Sequence, residues 1–418
     1  MYLDEIVRAQ KRGEAKGITS ICSAHPWVLK AAVRNAQQVS ETSETLLIES
    51  TCNQVNQFGG YTGMTPADFV RYVQGIAEEN QFPFENIILG GDHLGPNVWQ
   101  NEPEESAMRK AEVMMRDYLQ AGFVKIHLDC SMRLAGDPDG ALVLALSASR
   151  AARLAKGAEA SHVEGFELPR YVIGTEVPVP GGAWEHEEGV RVTKVQDVQQ
   201  TIEVTREAFY REGLQSAWER VIAIVVQPGV EFGDDFILPY KPDEAKELSR
   251  FIESQSMIYE AHSTDYQPGD ALKNLVSDHF AILKVGPSLT FAFREAVFAL
   301  AMIEDELFAE DQCSQIIQIL DDVMVKHPEH WKKYYRGDAA DQAFKRKYSL
   351  SDRARYYWVR PEVQIAFGQL MKNLGEKPLP YSLLSQFVGE TNLNATQVIE
   401  WKIGNVFDNY SMACRKNE

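Results

Sequence analysis

The run IILGGDHLGPN, Ile87 to Asn97, decides the fold. Three consecutive large apolar residues, Ile87, Ile88 and Leu89, lead without a break into Asp92 and His93, and glycine and proline then turn the chain. A buried strand that delivers polar groups at its carboxyl end has this pattern. The pattern recurs along the chain: GITSICSAH (17–25), TLLIESTCN (45–53), FVKIHLDCS (123–131), YVIGTEVPV (171–179), IAIVVQPGVEF (222–232), MIYEAHSTDY (257–266) and FAILKVGPSLT (280–290). Helical periods lie between these runs. Thr65-Pro66-Ala67-Asp68 supplies a capping hydroxyl, a proline at the first helical position and a first-turn acid, while Pro26 and Pro103 open two further helices.

Strand and helix alternating eight times over the first 308 residues predict an α/β protein, a closed (β/α)8 TIM barrel, because each parallel return needs a helical crossover. Residues 309–418 lose the repeat and read as a helical C-terminal extension packed on the barrel. The basic and aromatic run holding Arg353 and Arg355 is interleaved with acids, so it reads as a packing or subunit contact, and a homo-oligomer is expected.

A formal charge of -18 makes nucleic acid an unsuitable partner, although local cations or backbone N–H groups can still hold one small anion. No apolar run is long enough to span a bilayer, and MYLDEIVRAQKRGEAKG lacks the apolar centre of a signal peptide, so a cytoplasmic location with no membrane partner is expected. Five cysteines, odd in number and without a C-x-x-C pair, predict reduced thiols.

In a barrel the carboxyl ends of all strands meet at one mouth, so strand-end residues become neighbours. These are Ser23 and His25; Glu49, Asn53 and Gln54; Asp92 and His93; His127 and Asp129; Glu176; Gln227; Glu260 and His262; Lys284 and Ser288. Imidazoles and carboxylates gathered this way point to a divalent metal, with His93, His262 and Glu176 as ligands and Asp92, Asp129 and Glu260 as proton-transfer groups. The plainer alternative is a strand-end histidine bonded to a neighbouring acid. So many acids around one mouth would repel one another without a cation. His127 and Asp129 share parity and read as one pair, either orienting a ligand from behind or acting as general acid and base. His25 precedes Pro26 and reads as a helix-opening residue.

The turns after the last two strands, with Ser263, Thr264, Ser288, Thr290 and a helix N-terminus, suit a phosphate, and helix capping explains the same residues equally well. Lys284 suits either an anion or a Schiff base. The loop 53–66 reads as a lid or a solvated turn. No G-x-x-x-x-G-K-[ST] loop is present, which removes the usual nucleotide-dependent kinase chemistry.

The runs CSAHP, ESTCNQVNQFGGYTGMTPADF, ILGGDHLGPN, AGFVKIHLDCSM, YVIGTEVPVPGG, VVQPGVEF, YEAHSTDYQ and HFAILKVGPSLTFAFREA, together with YSLSDRARYYW, closely resemble the Z-type subunits of class II tagatose-1,6-bisphosphate aldolase, the GatZ/KbaZ family. The resemblance implies a TIM barrel related to metal-dependent aldolases. In those relatives an Asp-His dipeptide supplies a catalytic acid and a metal-binding histidine, matched here by Asp92-His93, and a later H-G-[AG]-S run is partly matched by His262-Ser263. A third metal histidine falls by strand order near Gln227, where this sequence departs. The resemblance implies a divalent metal, zinc first, with manganese, nickel or cobalt as substitutes. It also implies a ketose or ketose-phosphate substrate of tagatose metabolism. Two functions follow: C4 epimerase or aldolase chemistry on tagatose, fructose or their phosphates, or a non-catalytic Z subunit supporting a catalytic Y-type aldolase subunit.

Overall fold

A computed structural model describes residues 1–39, 45–139, 142–174 and 190–415 of the chain. Among the described residues ten strands form: β1 (Ile18–Ile21), β2 (Leu46–Thr51), β3 (Ile87–Leu94), β4 (Lys125–Leu128), β5 (Arg170–Ile173), β6 (Val221–Val225), β7 (Glu231–Phe232), β8 (Ile237–Leu238), β9 (Ile258–Ala261) and β10 (Phe280–Val285). All but β7 and β8 make one closed parallel barrel in the order β1-β10-β9-β6-β5-β4-β3-β2, the TIM barrel expected from the repeat. The tail of the sixth apolar run bends out instead. Pro228 and Gly229 interrupt it, and Glu231 and Phe232 then pair with β8 as a short antiparallel ribbon.

Each barrel strand is followed by a helix, and those expected to open at Pro26, Thr65-Pro66 and Pro103 do so. Thr65 caps the helix Pro66–Glu79 by accepting from the Asp68 backbone N–H at 3.3 Å, and Asp68 returns the bond to the Thr65 N–H at 3.0 Å. Two apolar layers hold the structure together. The outer one lies between strands and helices. The inner one fills the floor of the barrel with Ile18, Leu47, Ile88, Val172, Ile258 and Ile282, closed from below by Leu3 and Ile6 of the first helix, Tyr2–Lys11.

Beyond residue 308 the chain is helical, with helices Ile316–Lys326, Ala339–Tyr348, Pro361–Leu374, Tyr381–Phe387 and Ala395–Cys414. Their apolar faces join the outer layer rather than forming a separate core. The last helix returns to the barrel: Gly17 N–H donates to Cys414 O at 2.9 Å, and Tyr410 OH donates to Thr264 O at 2.7 Å. Among the described residues no helix is long and apolar enough to cross a membrane.

Candidate metal centre at the barrel mouth

Strand parity stacks the inward side chains in layers. Above the apolar floor, β4 places Lys125, His127 and Asp129 on one face, β9 and its turn place Glu260 and His262, and β3 places Gly90 and Asp92. The first polar layer is ionic. Glu49 accepts from Ser20 Oγ at 2.5 Å, from Lys125 Nζ at 2.7 and 2.9 Å, and from Lys284 Nζ at 3.2 Å. Lys125 Nζ also lies 2.5 Å from Glu260 Oε2, while Lys284 pairs with Asp92 and lies 3.7 Å from Glu260. Gly90 makes this layer possible, because a Cβ there would sit 2.7 Å from Glu49 Cγ.

Burial opposes the charged form of both lysines. Glu260 and Glu49 outweigh it and raise Lys125, and Asp92 with the other neighbouring anions raises Lys284 well above the usual lysine range. Lys284 is therefore an ammonium, not the neutral amine that a Schiff base requires.

Above this layer three imidazoles converge. The rings of His93, His127 and His262 lie 4.9 to 5.2 Å apart, and one ligand atom from each of them and from Asp92 falls within 4.8 Å of the others. His93 Nδ1 is 2.9 Å from Asp129 Oδ2, and His262 Nε2 is 3.0 Å from Glu260 Oε1. Each carboxylate thereby fixes one ring nitrogen and leaves the other for a ligand. Burial pushes His262 down to about 3, so its imidazole is neutral at ordinary pH. Burial opposes charge on Asp92, yet His93 and Lys284 hold it well below the usual carboxylate range. His127 Nδ1 lies 3.1 Å from Asp92, and its buried Nε2 has no hydrogen-bond partner.

The expected pairing of His127 with Asp129 does not form. Although the two share a face, Asp129 reaches across to His93, and His127 joins the imidazoles beside Asp92. His127 thus occupies the position of third imidazole, from β4, whereas Gln227 accepts from the N–H groups of Gly229 and Val230 and orders the turn before β7. Glu176 lies outside the described residues. His93 adopts a left-handed φ of +48°, which turns its ring back into the mouth immediately after Asp92.

The expected phosphate cradle is filled by protein. At the N-terminus of the helix Pro287–Leu307, Asp265 accepts from Gly286 N–H at 3.0 Å, Ser288 N–H at 2.8 Å and Ser288 Oγ at 2.8 Å. The anion held there is the chain's own. Thr264 Oγ1 donates to Lys284 O at 2.6 Å and Thr290 Oγ1 to Asp352 Oδ2 at 2.5 Å, while Ser263 bonds Glu231. A cleft opens above the imidazoles, lined by Asp92, His93 and His262, by Gln54 and Tyr61 of the 53–66 loop, and by Arg355 of the extension. The loop therefore borders the mouth, and Arg355 is a mouth residue rather than only a packing contact.

A closed eight-stranded parallel barrel whose polar side chains converge above an ionic layer at its carboxyl mouth belongs to the TIM-barrel class that builds its sites on strand ends. Within that class the chain belongs to the D-tagatose-1,6-bisphosphate aldolase subunit GatZ/KbaZ-like family, whose family model matches residues 3–415. It is similar to the crystal structure of a probable tagatose 6 phosphate kinase from Sinorhizobium meliloti 1021, with 45% identity, 96% of this chain and 100% of that chain covered, and a TM-score of 0.88. The fold is also shared with the fructuronate-tagaturonate epimerase UxaE from Cohnella laeviribosi, at 10% identity, coverage of 95% and 82%, and a TM-score of 0.52.

Proposed function

We propose that this protein is a metal-dependent ketohexose or ketohexose-phosphate C4 epimerase of aldolase type. The observation that carries the reading is the meeting of three buried imidazoles and Asp92 at the mouth. The fit to a divalent ion is tested by His127, whose buried Nε2 lacks a partner, and by the charge count. Glu49, Asp92, Asp129 and Glu260 bring four buried carboxylates against the two ammonium groups of Lys125 and Lys284. Burial opposes a proton on His93 but Asp92 and Asp129 raise it overall, so part of this negative surplus is met by that proton, which a bound dication would displace. His93, His127 and His262 would hold the ion, with Asp92 alongside, and an all-imidazole set suits zinc, with manganese, nickel or cobalt as substitutes. When bound, such an ion polarises the ketone oxygen of a sugar.

Asp92 faces the cleft beside the imidazoles, whereas Asp265, which also lines it, is engaged by the N–H groups of Gly286 and Ser288. Asp92 removes the proton from the C4 hydroxyl as the C3–C4 bond breaks, leaving the bonding pair on the three-carbon ketone fragment and an aldehyde on the other. Re-addition to the opposite aldehyde face, with the proton returned to the C4 oxygen, inverts C4. Asp129 and Glu260 hold His93 and His262 in place, and Lys284 holds Asp92. The sequence similarity to a tagatose-named protein, the family description and the epimerase that shares the fold all favour ketose chemistry.

The test is an assay of the purified chain alone on fructose, fructose 6-phosphate and tagatose 1,6-bisphosphate, with and without EDTA, repeated with His93→Ala. C4 inversion that EDTA and the substitution both abolish is expected. Full activity in His93→Ala contradicts the metal assignment, and turnover only after addition of a Y-type aldolase chain favours the supporting-subunit reading that the family description carries.

A further inference from the structure

Among the described residues two permanent cations line the cleft, Lys284 and Arg355. Their surroundings differ. Lys284 is consumed by Asp92, Glu49 and Glu260. Arg355 forms no ion pair among the described residues: its Nη1 donates to the Ser351 and Asp352 carbonyls, the latter at 3.0 Å, and its Nη2 to Tyr356 OH at 3.0 Å. The nearby acids are already committed. Asp352 accepts from Arg294 Nε at 2.8 Å and from Thr290, and Asp265 accepts from the helix N-terminus. A guanidinium at the edge of a cleft that no described carboxylate pairs is a fork of donors suited to an anion.

Aromatic groups fix the guanidinium in place. It lies 4.5 Å over the Tyr356 ring, which stacks on His330 at 4.7 Å and meets Tyr61 edge-on at 5.0 Å. Burial pushes Tyr61 up to about 12, so its hydroxyl remains a donor. In a protein of net charge -18 such a local cation is what allows an anionic substrate to enter.

We infer that Arg355, carried into the mouth by the C-terminal extension and flanked by Tyr61 and Tyr356, is an anion subsite that receives the terminal phosphate or carboxylate of an acyclic ketose. The inference rests on the ketose reading above and specifies the substrate as anionic rather than neutral. The phosphate and carboxylate classes share this recognition and are separated by the probes.

The test is calorimetric titration of the metal-loaded full chain, wild type, Arg355→Met and Arg355→Lys, with orthophosphate, fructose 6-phosphate, fructuronate and fructose. Wild-type binding of orthophosphate and at least one anionic ketose is expected, weakened roughly 30-fold in Arg355→Met, with fructose affinity and metal content unchanged. Arg355→Lys, which keeps the charge and loses the fork, is expected to fall between, and it reads the same difference if the methionine variant does not fold. Equal affinities in wild type and variants, equal losses for fructose and the anions, or no orthophosphate binding by the wild type each overturn the subsite. Arg355-dependent orthophosphate binding without any ketose binding keeps the subsite and removes the ketose reading.

Discussion

His127 carries a buried ring nitrogen with no partner, in the middle of a site where neighbouring imidazole nitrogens are held by carboxylates. An orphaned buried polar atom costs on the order of 1–3 kcal/mol, which a partner removes. Asp129 acts one bond further out, through His93, so Asp129→Asn is expected to weaken metal affinity by about 10- to 100-fold while leaving the fold intact, as measured by competition with a chromogenic chelator. Lys125 is fully buried between Glu49 and Glu260. Lys125→Met leaves those carboxylates facing each other and is expected to destabilise the protein by about 3–5 kcal/mol in urea unfolding. Asp92, His93 and His262 were legible from the sequence because a strand end fixes where a residue sits. The partner of each was not. Parity puts His127 and Asp129 on one face, but which acid meets which imidazole depends on the stagger between β3 and β4, whose register shifts between Gly91 and Leu94.

The strands were legible because each apolar run is followed by its own polar turn and a helical period, and local chemistry alone produces that pattern. The ribbon β7–β8 was missed, because Val230, Glu231 and Phe232 extend an apolar run whose bend comes only from Pro228 and Gly229. The meeting of β3 and β4 at the mouth depends on Gly95, where a Cβ would lie 1.7 Å from Asp129 O. Gly95→Ala must therefore push apart the two strand ends that carry His93 and Asp129. A loss of about 3 kcal/mol in stability, with a fall in bound metal, is the expected result. On β7, burial raises Glu231 to about 7. The native state then holds a proton there that the unfolded chain has lost, so this contribution is complete below the unfolded carboxyl pKa and disappears as pH rises through about 7. Glu231→Gln is expected to gain on the order of 2–3 kcal/mol relative to wild type between about pH 5 and about pH 8, read from urea unfolding at both ends. An unchanged difference would show that Glu231 ionises freely in the native fold.

For the molecule as a whole, a strongly acidic surface surrounds a mouth whose inner charges nearly balance, and the remaining excess is negative. A bound dication should therefore stabilise the entire barrel. Chelation is expected to lower Tm by a few degrees and metal addition to restore it, since a ligand at a hundredfold excess over its Kd contributes about 2.7 kcal/mol. The part played by the extension was beyond the sequence pattern. Arg355 lies in a helical region read as packing, and only the long-range fold of the chain brings it to the cleft beside Asp92 and His93. The most direct measurement of the central claim is the metal-to-chain ratio of purified wild type and His127→Ala by elemental analysis, paired with C4 inversion of a ketose. One equivalent of a divalent transition metal in the wild type, with both metal and inversion lost in His127→Ala, is the predicted result; metal-free wild type that inverts C4 at full rate contradicts it.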